Sequence, residues 1–324
     1  MSFAKDAKLE ILEHEIVAEE CGASFLSGLF RSAGELGKEN GRYNAVIITD
    51  VKELFDVVNG IVDKLYGGKL KIEIADGFVI NKTTYYKLIF PPDTAQRILE
   101  DACVLVRENG EYSFVFGIDE NLISEDNAKR AFVKGAFIGA CTSSIKISED
   151  IMQKTSSGYH LEFTSHSYEF LSELSSLLAQ YGVLAKLIKR KKQYVLYIKE
   201  ASSVENLLAL VEASGSVVRL TEEMVVRQLR NRANREANCV SANISKTVNA
   251  SMMQTEAIEY IMDTIGLEEL TEDLQEVAML RLANPEESLN ELLELSTIKL
   301  TKSGLNHRLL RLVKIAEKLR KEDE

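Results

Sequence analysis

Apolar positions in the first 215 residues follow two alternating periods. Residues 43–49 read as a strand. After them Val51, Leu54, Phe55, Val58, Ile61, Val62 and Leu65 recur at the i, i+3, i+4, i+7 spacing of one helical face. Gly67 and Gly68 supply the helix stop. Residues 70–75 and 83–90 predict a hairpin around Asp76-Gly77. Pro91 and Pro92 end that hairpin and open a helix running towards Cys103. The same order then returns, with a strand at 159–164, a helix at 167–180, a hairpin from 184–189 and 194–199, and a helix at 204–213. Thr49 aligns with Thr164, Phe55 with Phe170, and Tyr66-Gly67 with Tyr181-Gly182, a fixed offset of 115. The first 215 residues therefore contain an internal duplication.

A helix rich in small residues precedes each copy, at 21–34 and 131–141. Here Gly28 aligns with Gly135 and Phe30 with Phe137 at an offset of 107, so the second copy has gained about eight residues after this helix. Gly and Ala along one face let two helix backbones approach closely, as a pseudo-two-fold axis between two half-domains requires.

From about residue 216 the pattern is helical throughout. Met224, Leu229, Ala233, Ala237, Val240, Ile244, Val248 and Met252 recur near a helical period. Between them stand Asn231, Asn234, Asn238, Asn243 and Asn249, poor helix formers, beside Arg230, Arg232, Arg235 and Lys246. These polar groups serve either as caps and interdomain contacts or as contacts to phosphates and bases. Charge then separates into blocks. Residues 254–294 carry twelve acids and one base, Arg281; residues 296–321 carry eight bases and one acid, Glu317.

The basic block has helix-turn-helix anatomy. Helices are expected at about 272–282, ending before Asn284-Pro285, and at about 287–295, with Leu289, Leu292 and Leu293 inward. A turn at 296–300 follows, and Thr301 is the N-cap of a third helix. That helix would bury Leu305, Leu309, Leu312, Val313, Ala316 and Leu319. It would present Lys302, Ser303, Asn306, His307 and Leu310 outward, with Arg308 and Arg311 flanking. Side chains so placed reach base edges and phosphates in a major groove.

Composition bounds this picture. The 324 residues suggest two or three domains, and 45% hydrophobic with 27% charged residues describes a folded chain. The net charge of −11 excludes a uniformly basic DNA coat but not a local DNA-binding surface. Cys21, Cys103, Cys141 and Cys239 have neither CxxC spacing nor a neighbouring His, so neither a zinc site nor a disulfide framework is expected. No stretch of about 18 apolar residues occurs, which predicts a cytoplasmic protein without a membrane span. In the second hairpin Lys186, Lys189, Arg190, Lys191, Lys192 and Lys199 are basic. The first has only Lys69, Lys71, Lys82 and Lys87. The basic hairpin is either a solvated edge whose charges block strand pairing or a phosphate-facing strip.

The duplicated halves opened by small-residue helices resemble the LAGLIDADG homing-endonuclease fold. Residues 288–292 and 300–309, the Asn-Arg-x-x-Asn-Cys run at 234–239, Ala-Asn-x-x-Lys at 242–246 and Tyr159-His160-Leu161-Glu162 resemble the bacterial WhiA family. The turn at 296–300 lacks the prolines frequent in that family, and Gly139-Ala140-Cys141-Thr142 stands where Gly-Gly-Ser is more usual. The resemblance implies an α+β fold: a duplicated αββαββα domain with a saddle sheet over 1–215, in halves 1–105 and 128–215. A helical Asn/Arg-rich linker at 216–255 and an all-α helix-turn-helix domain at 256–324 follow. In active LAGLIDADG nucleases an acid near the end of each paired helix binds a divalent metal. Those places hold Ala33 and Ala140 here; Glu35 lies beyond the first, and Thr142, Ser143 and Ser144 beyond the second.

No catalytic residue, metal or cofactor is therefore expected. The implied function is a nucleoid-associated transcriptional regulator binding double-stranded DNA, tied to cell division and chromosome segregation, and to sporulation in sporulating relatives. The alternatives are a residual metal-dependent nuclease, or a scaffold whose N-terminal domain binds a protein through an apolar patch on the sheet. Oligomeric state is not legible. The DNA-contacting residues expected are Lys299, Thr301, Lys302, Ser303, Asn306, His307, Arg308, Arg311 and Lys314. A second set is Arg230, Arg232, Asn234, Arg235, Asn238, Asn243, Lys246, Lys189, Arg190 and Lys192.

Overall fold

In the computed structural model, which describes residues 2–75, 83–145, 158–297 and 299–322, each half runs helix, two strands, helix, two strands, helix. The first half follows a leading helix α1 (Phe3–Glu13). It comprises α2 (Ala18–Ala33), β1 (Gly34–Glu39), β2 (Arg42–Thr49), α3 (Leu54–Tyr66), β3 (Lys71–Ile74), β4 (Tyr86–Ile89) and α4 (Pro92–Asp101). A hairpin of β5 (Leu105–Glu108) and β6 (Glu111–Phe114) connects to the second half. That half comprises α5 (Asp126–Ala140), β7 (Cys141–Ser143), β8 (Leu161–Ser165), α6 (Tyr168–Ala179), β9 (Lys186–Arg190), β10 (Gln193–Ile198) and α7 (Ala201–Leu210). The sheets have matching antiparallel orders, β1-β2-β4-β3 and β7-β8-β10-β9. This is the duplicated αββαββα architecture.

Four features absent from the chain-pattern reading appear: β1 and β7 directly after the small-residue helices, the β5–β6 hairpin, and α1. Gly34-Glu35-Leu36-Gly37 carries one large apolar side chain, too little for a period to show. The strand forms because β2 offers it a partner, Glu35 opposite Val46. The Asp76-Gly77 turn and Lys82 lie outside the described residues. Gly67 ends α3 with φ +63°, the left-handed cap that glycine adopts without strain.

The paired helices explain the small residues. A Cβ on Gly28 would land on the carbonyl oxygen of Phe132, and one on Gly135 on the carbonyl oxygen of Phe25. Each glycine thus admits the backbone three residues before its own symmetry mate, and the contact is reciprocal about the pseudo-two-fold axis. Around this pair Phe25, Leu29, Phe132, Phe137, Phe163 and Phe170 are fully buried. Arg31 is buried too, and donates to the carbonyl oxygens of Ala102, Cys103, Phe116 and Gly117, tying α2 to both ends of the β5–β6 hairpin.

Two compact units divide at residue 226: Met1–Val226 and Arg227–Glu324. One helix, α8 (Ser214–Thr264), contains the division and the whole of the expected 216–255 linker. Its first turns join unit 1 through Arg219, which pairs with Asp6 at 3.0 Å and Glu10 at 2.6 Å on α1. The second unit continues with α9 (Glu272–Ala283), α10 (Leu289–Leu295) and α11 (Lys302–Glu322). Its core gathers Ile258 and Ile261 of α8, Leu274, Val277 and Ala278 of α9, Leu292 of α10, and Leu305, Leu309, Leu312 and Ala316 of α11. Val313 and Leu319 are half-buried against it. The start of α10 shifts from the expected Glu287 to Leu289. Ser288 and Glu291 form a capping box there, each side chain bonding the other's backbone N–H.

Candidate nucleic-acid interface

The helical step that turns Leu305, Leu309, Leu312 and Ala316 inward decides what α11 shows outside. At 100° per residue the opposite face carries Ser303, His307, Leu310 and Lys314, with Arg311 beside them. All five are exposed, and Leu310 stays 49% accessible although it is apolar. Thr301 caps the helix: its Oγ1 accepts the Gly304 N–H at 3.1 Å, and its carbonyl oxygen the Leu305 N–H at 2.9 Å. The positive end of the helix dipole is thereby held at a polar, carboxylate-free first turn.

Not every expected cation is equally available. Arg308 is half-buried and donates from Nε to Asp273 Oδ2 on α9 at 3.0 Å. The Thr271 hydroxyl donates to Asp273 as well; that bond, with Arg308, holds the Asp273 carboxyl below the usual carboxylate range. Arg308 therefore arrives compensated, whereas Arg311, Lys314, Lys302 and Lys299 are exposed. Asn306 is half-buried and, with Lys302, sits on the flank of α11 rather than on its outermost face. Ile298, within the turn, lies outside the described residues.

On α8, Asn234, Arg235, Asn238, Asn243 and Lys246 are exposed, Arg230 is half-buried, and Arg232 pairs with Glu236 at 3.0 Å one turn away. The apolar series on the same helix is not a core stripe: Leu229, Val240, Ile244, Val248 and Met252 are exposed. A helical period reports one face of a helix, not what covers it.

The basic hairpin splits across its sheet, because neighbouring strand residues point to opposite sides. Arg190 shares a side with Glu162, and its guanidinium makes two bonds to that carboxylate, at 3.1 and 3.3 Å. Lys189 is on the other side, its ammonium 5.9 Å from the centre of the Tyr194 ring. Lys192 sits in the turn between β9 and β10. In the first half, the side of the sheet away from the core carries Glu35, Glu39 and Glu73 against Arg42, Lys71 and Lys87, around half-buried Val46, Ile48 and Ile89. That face is balanced in charge and apolar at its centre.

The helix ends where homing nucleases place metal-binding acids fall on Ala33 and Ala140, the last residues of α2 and α5. Glu35 lies in β1 opposite Val46, and the second copy continues with Thr142 and Ser143 of β7. Among the described residues, no helix is long and apolar enough to cross a membrane.

Sequence reasoning missed two residues here. Asp273, the partner of Arg308, was legible only as one of twelve acids. Arg281 is 2% exposed, a burial its spacing signals: Leu274, Val277, Ala278 and Arg281 occupy i, i+3, i+4 and i+7 of α9.

Comparison with known proteins places the chain. The WhiA LAGLIDADG-like domain family matches residues 22–85 and 129–230, and the WhiA C-terminal HTH domain family matches residues 233–316. A probable cell division protein WhiA of Clostridium acetobutylicum is 35% identical over 324 residues, covering 99% of each chain. One from Thermoanaerobacter sp. (strain X514) is 35% identical over 323 residues, covering 99% of this chain and 98% of that protein. The crystal structure of "full-length DUF199/WhiA from Thermatoga maritima" superposes with a TM-score of 0.55 at 24% identity, over 98% of this chain and 99% of that one. With both domain families matched in order and relatives alike from end to end, the chain belongs to the WhiA family.

Proposed function

We propose that this protein is a sequence-specific, non-cleaving DNA-binding regulator that acts in cell division. The observation that carries the reading is α11, a capped helix on an apolar base. Its exposed face offers Ser303, His307, Leu310, Arg311 and Lys314 to a major groove. Ser303 and His307 are placed to bond base edges, Leu310 suits a thymine methyl, and Arg311 and Lys314 suit phosphates or guanine. The relatives' description as probable cell division proteins supports the cellular role. Control of transcription, chromosome segregation and a nucleoid location belong to the same reading. The exposed polar residues of α8 are proposed as auxiliary phosphate contacts. Alanines at both paired-helix ends support the absence of DNA cleavage.

The test is a binding-site selection on the full chain and on His307→Ala and Leu310→Ala. Both side chains are exposed and off the core stripe, so the variants fold. Each is expected to relax one or two base positions, a base contact being worth about 1–3 kcal/mol of discrimination. A preference identical to the parent's in both variants refutes α11 as the reader.

A second reading, that unit 1 docks a protein, is favoured by the apolar centre and balanced charge of the β1-β2-β4-β3 face. Arg42→Glu and Lys71→Glu together separate the two. Weakened duplex binding places DNA on that sheet; unchanged binding leaves it to a protein partner.

A further inference from the structure

Within the C-terminal unit, α8, the α9–α10 connection and the start of α11 enclose a cleft distinct from the outer face of α11. Its charged lining residues are all cations: Lys246, Arg281 and Lys302. Amide side chains of Gln254, Asn290 and Asn306 also line it. At its base Arg281 is 2% exposed. A buried arginine normally meets a carboxylate, since an isolated charge is costly to remove from water. Arg281 instead spends Nη1 on the carbonyl oxygens of Asn284 and Glu287 and the Ser251 hydroxyl, at 3.3, 2.7 and 3.4 Å. Its Nε has no partner, nor has Oε1 of Gln254, which is 4% exposed. Lys246 and Lys302 stand exposed above, paired with no carboxylate among the described residues.

A buried guanidinium with a free donor, two unpaired ammoniums and three amides converge with no competing acid. That is the chemistry of a tetrahedral oxyanion site. We propose that this cleft binds a phosphate group, Lys246 of α8 and Lys302 of α11 closing over it above Arg281. The phosphate comes either from the DNA backbone beside the groove that α11 reads or from a free phosphate compound. The first source rests on the DNA-binding reading; the second does not. In both cases α8 is part of a clamp with the reading helix, and Asn306 positions a phosphate instead of reading a base.

The test uses the full chain and the double variant Lys246→Gln/Lys302→Gln, whose side chains are exposed and outside the core. Two titrations are run on both proteins: inorganic phosphate against chloride at matched ionic strength, followed by ³¹P NMR and thermal shift, and duplex DNA at several salt concentrations. A backbone phosphate predicts that the double variant lowers the salt slope by about 0.9, the loss of one neutralised phosphate. A free phosphate compound predicts saturable phosphate binding that the double variant abolishes. If the parent binds no duplex, the DNA reading fails and the phosphate titration alone judges the cleft. An unchanged slope together with no saturable phosphate binding overturns the proposal.

Discussion

Replacing Asp273 by Asn should make this protein bind DNA more tightly. Asp273 stands at the first turn of α9 and accepts the Arg308 Nε at 3.0 Å, so in the proposed DNA complex one cation of α11 is already compensated. Asn keeps the shape and an acceptor for the Thr271 hydroxyl but removes the charge. The Asp273 and Arg308 side chains are 45% and 27% exposed, so the fold does not depend on the pair. Arg308 is then free to neutralise one more phosphate. Each additional phosphate contact steepens the log–log salt dependence by about 0.9, so the advantage of the variant shrinks about 3.5-fold between 50 and 200 mM salt. Fluorescence anisotropy on one duplex at 50, 100 and 200 mM measures this. Asp273→Asn/Arg308→Ala serves as the control and should return the parental slope. An unchanged slope in Asp273→Asn, or weaker binding at low salt, refutes the placement of this edge of α11 against the backbone.

Two further outcomes follow from the packing. Gly28→Ala and Gly135→Ala each push a methyl onto a carbonyl oxygen that cannot swing aside. The overpacking exceeds the roughly 1 kcal/mol of helix propensity gained, leaving a net loss of about 2 kcal/mol in urea unfolding for either variant. A variant as stable as the parent would show that the helices part freely. Of the thiols, exposed Cys239 should react with a disulfide reagent at pH 8, while Cys141 stays protected until unfolding. Burial pushes the Cys141 thiol up to about 12 from 9.0. The unfolded chain therefore loses that proton first, and stability falls as pH rises from about 9 to 12. Cys141→Ala should flatten that alkaline slope, and an identical slope would contradict the burial.

The duplication was legible because repeated helices leave a repeated period. Gly28 and Gly135 meet across the paired helices as their alignment implied, whereas the buried positions match Leu54 with Phe170 and Val58 with Leu174, one residue away from the alignment of Phe55 with Phe170. The strands β1 and β7 were not. A partner edge stabilises an edge strand, and nothing in Gly34-Glu35-Leu36-Gly37 records that β2 lies alongside. Thr301, the Leu305–Leu309–Leu312 stripe and the exposed position of His307 were legible for the same reason as the repeat, since a cap and a 3.6-residue period are local.

Charge was the poorer guide, because a side chain's charge says nothing about its partner. Lys189, Arg190 and Lys192 look like one basic strip in the sequence. The strand alternation puts Lys189 and Arg190 on opposite sides, and Glu162, 28 positions away in the chain, takes up Arg190. Arg308 looked as available as Arg311 until α9 brought Asp273 against it. Arg281 is the inverse case. It is the lone base among twelve acids, and simple counting would have matched it with one of them. The fold instead places it on the apolar stripe of α9 and gives it only carbonyl and hydroxyl oxygens. Its charge is therefore left for a ligand, and α8 and α11 bring the two lysines that would share that ligand to the same cleft.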